Sequence, residues 1–207
     1  MPLTKPAEAR EAIHTRRVTC EGFRRADGLW DIEGHMTDVK TYSYTTPERG
    51  EITAGTPVHD MWLRLTVNDN LTVVAVEAVT DRAPFPAVCP NIVPNYQQVV
   101  GLTIGRGWTK ALKERLGGVR GCTHLLELLG PMATTAYQTI APILARAAKA
   151  KREENGEKMV NFPLLNTCYA FKSDSEVIQR HAPAFYTGLK DGEISPDPSS
   201  ASGMHGE

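Results

Sequence analysis

Three short stretches hold most of the residue types that could carry chemistry. Val58-His59-Asp60 opens an apolar run, Cys89 lies among prolines in residues 86–90, and Gly121-Cys122-Thr123-His124 precedes a long helical pattern. The first begins a strand, the second leads into a helix, and the third opens the longest helix. A cysteine at a helix start meets unpaired backbone N–H groups and the positive end of the helix dipole. Both favour thiolate, the form that binds metal or attacks carbon. Two thiolates with an Asp oxygen and a His nitrogen suit a tetrahedral metal site. The competing reading is packing, because cysteine is among the most buried residue types and His59 shares a strand face with apolar neighbours. No C-x-x-C pair is present, nor any G-x-G-x-x-G, P-loop, G-x-S-x-G or H-E-x-x-H pattern. Dinucleotide-fingerprint, Walker-type, serine-hydrolase and zincin chemistries therefore have no signature here.

The elements that must position these residues follow from periodicity. Trp30, Ile32 and Met36 alternate with Asp31, Glu33 and His35, which predicts a half-buried strand with one acidic face. Asp27-Gly28 before it is a turn signal and predicts a hairpin with residues 23–25 on the other side. The composition of residues 45–55 reads as loop. Val58 to Val67 and Leu71 to Thr80 form a second predicted hairpin around Asn68-Asp69-Asn70. If Val67 pairs with Leu71, Met61 faces Glu77 and His59 faces Val79, and His59 has Glu77 and Asp81 as diagonal neighbours.

Helical patterns follow over residues 91–100, 108–116 and about 123–151, the last with expected bends at Gly130-Pro131 and Pro142. A shorter helix within residues 162–186 takes Ser173 or Asp174 as its cap. Strands first and helices second predict an α+β fold, a small antiparallel sheet in the N-terminal half with C-terminal helices packed on it. One domain over residues 1–190 and a disordered Ser/Pro/Gly-rich tail over 191–207 complete the expected organisation.

Composition narrows the function classes. The 207 residues are 41% hydrophobic and 23% charged, ordinary for a globular chain with a real core. A net charge of −1 gives no bulk attraction to nucleic acid or anionic lipid. No apolar run approaches membrane-spanning length, and the opening MPLTKPAEAREAIHTRR lacks the apolar core of an export signal, so a cytoplasmic location is expected. Four cysteines are too sparse for a disulfide scaffold and read as thiols. Asp27, Asp31, Glu33 and Asp38 read mostly as solvated carboxylates, with a role as acids or bases the second reading. Arg16-Arg17 and Arg24-Arg25 read as surface pairs, Cys168 as structural, and Arg180-His181 as charge at a helix C-terminus.

Two resemblances add to this. The stretch PVHDMWLRLTVNDNLTVVAVEAVTDRAPFPAVCPNIVPNYQQVVGLTIGRGW, with its continuation to Gly130, resembles the central part of NifU-type iron–sulfur scaffold proteins. Asp60 falls at that family's Asp, Cys89 at its second cysteine, Gly105-Arg106 at its Gly-Lys turn and Cys122 at its third cysteine. Val58 and His59 stand where its first cysteine would be. The resemblance implies a NifU-like fold carrying a mononuclear metal or a catalytic thiol more readily than a cluster. Over nearly its whole length the chain also resembles a bacterial family catalogued as a domain of unknown function, number 2889 in that series. DGLWDIEGHMTDVKTY, PVHDMWLRLTV, GCTHLLELLGPMATTAYQ and LLNTCYAFKSDSEVIQRHAPAFY carry that likeness.

The leading expectation is a protein binding zinc or iron through Asp60, Cys89 and Cys122, with His59 or His124 as fourth ligand. The alternative is an enzyme acting on a small molecule, with Cys122 as nucleophile or acid, His59 or His124 as base and Asp60 orienting the base. A non-catalytic binding module is the third. Neither nucleic acid nor membrane is an expected partner, and composition leaves the oligomeric state open.

Overall fold

The computed structural model describes residues 3–188, so the tail expected over residues 191–207 lies outside the described residues. By its internal contacts the chain divides into two compact units, with the boundary between Ala148 and Lys149.

The first unit carries the sheet. Strands β1 (His14–Arg24) and β2 (Trp30–Lys40) form the predicted hairpin. Gly28 takes the left-handed conformation, φ 86°, that its turn needs, and Asp27 Oδ1 accepts from the Leu29 N–H. The segment expected as loop contains a two-stranded ribbon, β3 (Tyr44–Thr46) and β4 (Gly50–Ile52). Strands β5 (Pro57–Val67) and β6 (Val73–Arg82) form the second hairpin. The four long strands make one antiparallel sheet in the order β1-β2-β5-β6.

The second hairpin has a different register from the expected one. Val67 pairs with Val73, Trp62 with Val79 and Met61 with Thr80, so neither Glu77 nor Asp81 has the predicted relation to His59. The turn is longer, spanning residues 68–72. Asn68 Oδ1 accepts from the N–H groups of Asn70 and Thr72 at 3.0 Å each, and Leu71 is held at φ 60°. A side-chain-stabilised turn of this kind consumes two more residues than a three-residue loop. Irregularities beside Val67 and Asp60 shift the pairing further.

One face of the sheet is buried. Trp30, Ile32 and Met36 of β2 and Met61, Leu63, Leu65 and Val67 of β5 point into it. The 3-10 helix Cys89–Val99, α1 (Trp108–Leu116) and α2 (Thr123–Asn155) follow. Helix α2 runs through Pro131 and Pro142 as a single element. Its Leu125, Leu128, Leu129, Met132 and Ala136 complete the core. Two glycines allow its close approach: a Cβ on Gly22 would run into the Thr139 hydroxyl, and one on Gly34 would sit 2.6 Å from the Met132 sulfur. The α+β architecture, an N-terminal antiparallel sheet with C-terminal helices, is as the element order predicts.

The second unit contains α3 (Glu176–His181), capped by Ser175, whose Oγ accepts from the Ile178 N–H. Arg180 and His181 fall in its last turn, where their charge complements the dipole. Phe171 and Phe185 pack beside Phe162, with ring centroids 5.7 and 6.2 Å away.

Candidate functional site

Strand alternation builds the site. Asp38 has the same parity in β2 as Trp30, Ile32 and Met36, so its side chain lies on the buried face, where the residue is 1% exposed. An unpaired carboxylate there would be strongly disfavoured. Arg16 is its partner across β1 and His59 its partner across β5. Arg16 donates as a fork, Nε to Oδ1 and Nη2 to Oδ2, each at 2.8 Å. His14 Nε2 donates to Oδ1 at 3.0 Å and His59 Nδ1 to Oδ2 at 2.9 Å. The carboxylate therefore accepts four hydrogen bonds. Burial opposes its ionisation, but the Arg16 fork and the two imidazoles outweigh that and hold its pKa at about 2.

The first turn of α2 closes the cluster. His124 Nε2 lies 4.0 Å from Asp38 Oδ2, and its ring packs over His59 with centroids 3.7 Å apart. Burial and the neighbouring imidazole both push the His59 pKa down, against the pull of Asp38. Arg16 Nη1 also donates to Glu127 Oε2 at 2.5 Å, tying the helix to the same guanidinium. One ligand atom from each of Asp38, His59 and His124 lies within 4.8 Å of the other two. This cluster could coordinate a metal ion.

Cys122 stands immediately before α2 and its carbonyl accepts from the Leu126 N–H at 2.9 Å, beginning the helix. Its backbone is gripped by a buried tyrosine: the Tyr96 hydroxyl donates to the Cys122 carbonyl at 2.9 Å and accepts from its N–H at 3.1 Å. The Cys122 sulfur lies 3.9 Å from His124 Nδ1. Burial would raise the thiol pKa, but His124 and the backbone N–H groups of Leu125 and His124 bring the net shift below the ordinary value. Sulfur, imidazole and carboxylate thus follow one another: Cys122, then His124 Nδ1, then His124 Nε2 and Asp38.

The expected Asp60/Cys89/Cys122 metal set is not what the structure assembles. His59 and His124 belong to the cluster, and Cys122 contacts it through His124. Asp60 alternates to the opposite face of β5, where its Oδ1 accepts from His35 Nε2 at 2.7 Å and the His35 ring stacks on Trp62 at 3.6 Å. Cys89 begins the 3-10 helix and packs against the core; it is not part of the ligand-atom grouping. The carboxylate is supplied by Asp38 instead. The usable signal was parity, since continuing the alternation of Trp30, Ile32 and Met36 by one step puts Asp38 inside.

Fold and site together define an α+β protein in which a buried Asp–His cluster and a thiol meet where the sheet joins a helix N-terminus. The chain belongs to the family described as "Protein of unknown function (DUF2889)", which matches it over residues 14–138, more than half its length. That match covers β1 to β6 and reaches into α2, so it includes every member of the cluster. No curated protein and no solved structure matches the chain, and nothing links it to NifU-type proteins. Among the described residues, no helix is long and apolar enough to cross a membrane.

Proposed function

We propose that the protein is an enzyme acting on a small molecule, with Cys122 as nucleophile, His124 as its base and Asp38 orienting that base. The observation that carries this reading is the Cys122–His124–Asp38 order, with 3.9 Å between sulfur and Nδ1 and 4.0 Å between Nε2 and Oδ2. The Nε2–Oδ2 spacing is beyond hydrogen-bond length, so the reading requires the pair to close when substrate arrives, as unliganded catalytic contacts commonly do. In the reaction His124 takes the thiol proton and the sulfur bonds to an electrophilic carbon. The bond to the leaving group then breaks, and the imidazolium returns the proton to that group. Arg16 keeps Asp38 anionic and fixed, so the imidazolium forms beside a charge that needs no reorganisation.

Iodoacetamide labelling tests this reading, in a Cys168→Ser background because Cys168 is exposed and would react independently. Fast modification mapped to Cys122 near neutral pH, slowed about tenfold or more by His124→Gln, supports it. Labelling of Cys122 no faster than a free thiol, and unchanged by His124→Gln, removes it.

The 4.8 Å grouping favours a second reading, in which Asp38, His59 and His124 hold zinc or iron, metals that accept oxygen and imidazole ligands. The four hydrogen bonds already made by Asp38 weigh against it, because a cation on that carboxylate would compete with those donors and sit beside the Arg16 guanidinium. Elemental analysis of tag-free protein separates the two. About one metal per chain, lost in His59→Gln and His124→Gln, establishes the metal reading; substoichiometric metal leaves the thiol.

A further inference from the structure

We propose that the outer edge of β1 pairs with β1 of a second copy of this chain, antiparallel and centred on Thr19, joining two four-stranded sheets into one. The two edges of the sheet differ. The β6 edge is covered: the Val73 N–H donates to the Leu102 carbonyl, the Val73 carbonyl accepts from Gly101, and Gln97 Nε2 donates to the Val76 carbonyl. The β1 edge is open, and every residue of the strand except Thr15 and Cys20 is exposed. Its 11 residues pair with β2 in one unbroken register, without a bulge or a proline. A long, regular, uncovered edge is a template for another strand.

The ends of the β1–β2 ladder fix which backbone groups are free. The Thr41 N–H bonds to the Ile13 carbonyl and the Arg25 N–H to the Leu29 carbonyl, and opposed residues in an antiparallel pair are bonded alternately. Odd-numbered residues of β1 therefore bond to β2, and the N–H and C=O groups of Arg16, Val18, Cys20 and Gly22 face outward. Among the described residues nothing bonds to them. A two-fold axis at Thr19 sets Val18 against the partner's Cys20 and Arg16 against the partner's Gly22, so free groups meet free groups.

Charge selects this axis. On the face away from the helices it sets Arg17 against the partner's Glu21 and Glu21 against the partner's Arg17. Within its own sheet Glu21 stands opposite another carboxylate, Glu33, which is already held by Arg64. Among the described residues neither Arg17 nor Glu21 makes an ion pair, so the second copy supplies the cation that this row of the sheet lacks. An axis at Val18 would set Arg17 against Thr19, and one at Cys20 would set Arg16 against Arg24. Inward-facing basic side chains often guard an edge, but here they are engaged: Arg16 on Asp38, and Arg24 over the Trp30 ring at 5.5 Å.

The test is sedimentation velocity of the full chain over a concentration series. At about 50 μM the mass should be twice the 22.7 kDa of one chain. Glu21→Arg sets like charges together on both sides of the axis and should weaken the dimer about tenfold or more. Adding Arg17→Glu to it should restore the affinity to within about threefold of wild type. Both side chains are exposed, so these variants should fold. Val18→Pro removes an outward N–H that β2 does not use, a change edge strands tolerate, and should abolish the dimer. A thermal melt checks its fold, and if it does not fold the charge cycle still decides. Thr19→Cys in a Cys168→Ser background should give a covalent dimer on mild oxidation, since opposed non-bonded residues bring their Cα atoms to about 4.5 Å, within disulfide reach. Cys122→Ser should dimerise as wild type does, because the pairing does not rest on the thiol. A monomer at about 200 μM overturns the proposal. So does a dimer unmoved by both Glu21→Arg and a folded Val18→Pro, or one in which Thr19→Cys forms no cross-link.

Discussion

Asp38 and His59 face each other across β2 and β5, and the imidazole Nδ1 donates to the carboxylate at 2.9 Å. The bond fixes the His59 tautomer: Nδ1 carries the proton and Nε2 is left as the acceptor or ligand atom. His59 adds nothing to the sulfur contact directly. It packs on His124 and holds one lone pair of Asp38, so its role is to position the pair that contacts Cys122. His59→Gln should therefore slow Cys122 alkylation by less than His124→Gln does. Equal slowing by the two would mean that His59, too, exchanges the proton directly.

Arg16→Met should be among the most destabilising single changes in the sheet. It leaves a carboxylate with 2% side-chain exposure and only imidazole donors, a loss of roughly 3–5 kcal/mol for a broken buried pair. Chemical denaturation measures it, and a loss under about 1 kcal/mol would show that the imidazoles alone satisfy Asp38. Asp38→Asn in the Arg16→Met background should recover much of the loss by removing the buried charge.

The acid response follows from the same group. The Asp38 pKa is depressed to about 2 from an ordinary value near 3.8, so ionised Asp38 favours the folded state. That contribution, roughly 2 kcal/mol, is complete above the ordinary carboxylate range and disappears as pH falls toward about 2. Wild type should lose stability more steeply than Asp38→Asn between about pH 4 and 2. Parallel curves for the two proteins would show that Asp38 is not held in its ionised form by its neighbours.

Tyr96→Phe isolates the grip on Cys122. The hydroxyl accepts from the Cys122 N–H and is a second donor to its carbonyl, which also accepts from Leu126, so its removal leaves a partly buried N–H without this partner, worth about 1–3 kcal/mol. Alkylation of Cys122 should slow as well, since the helix start that presents the sulfur to its N–H groups loosens. A stability loss with unchanged alkylation would confine Tyr96 to a structural role.

Much of this fold is legible in the amino-acid sequence, because strand and helix periods are local. The Asp27-Gly28 hairpin, the β5–β6 hairpin, α1 and the start of α2 all follow from turn residues and apolar spacing. Pairing between strands distant in sequence is not local. His59 could be placed on the apolar face of its strand, but nothing near it in the chain announces that β2, ending in Asp38, lies alongside. Composition assigned Asp38 to solvent with its acidic neighbours, whereas parity carried it inward and Arg16, 22 residues earlier, made that tolerable. Asp60 shows the converse. It is adjacent to His59 in sequence yet on the opposite face, so a motif read as neighbours is split by a single step of the pleat.

The close seating of α2 on the sheet can be tested by restoring a side chain where none fits. Gly22→Ala places a Cβ against the Thr139 hydroxyl, and Gly22, on the edge strand β1, is held in register by its pairing with Ile32 of β2. Either the helix lifts from the sheet or Thr139 moves, and the strain should destabilise the protein by about 1–3 kcal/mol. Thr139→Ala removes the obstructing atoms, so the double variant should be more stable than Gly22→Ala alone. Denaturation midpoints of the four proteins give the coupling energy directly. A Gly22→Ala variant as stable as wild type would show that α2 does not need the space this glycine leaves. Restoration in the double variant would show that the glycine sets the distance between helix and sheet. The first turn of α2 carries His124, so that distance also governs how near its imidazole comes to Asp38.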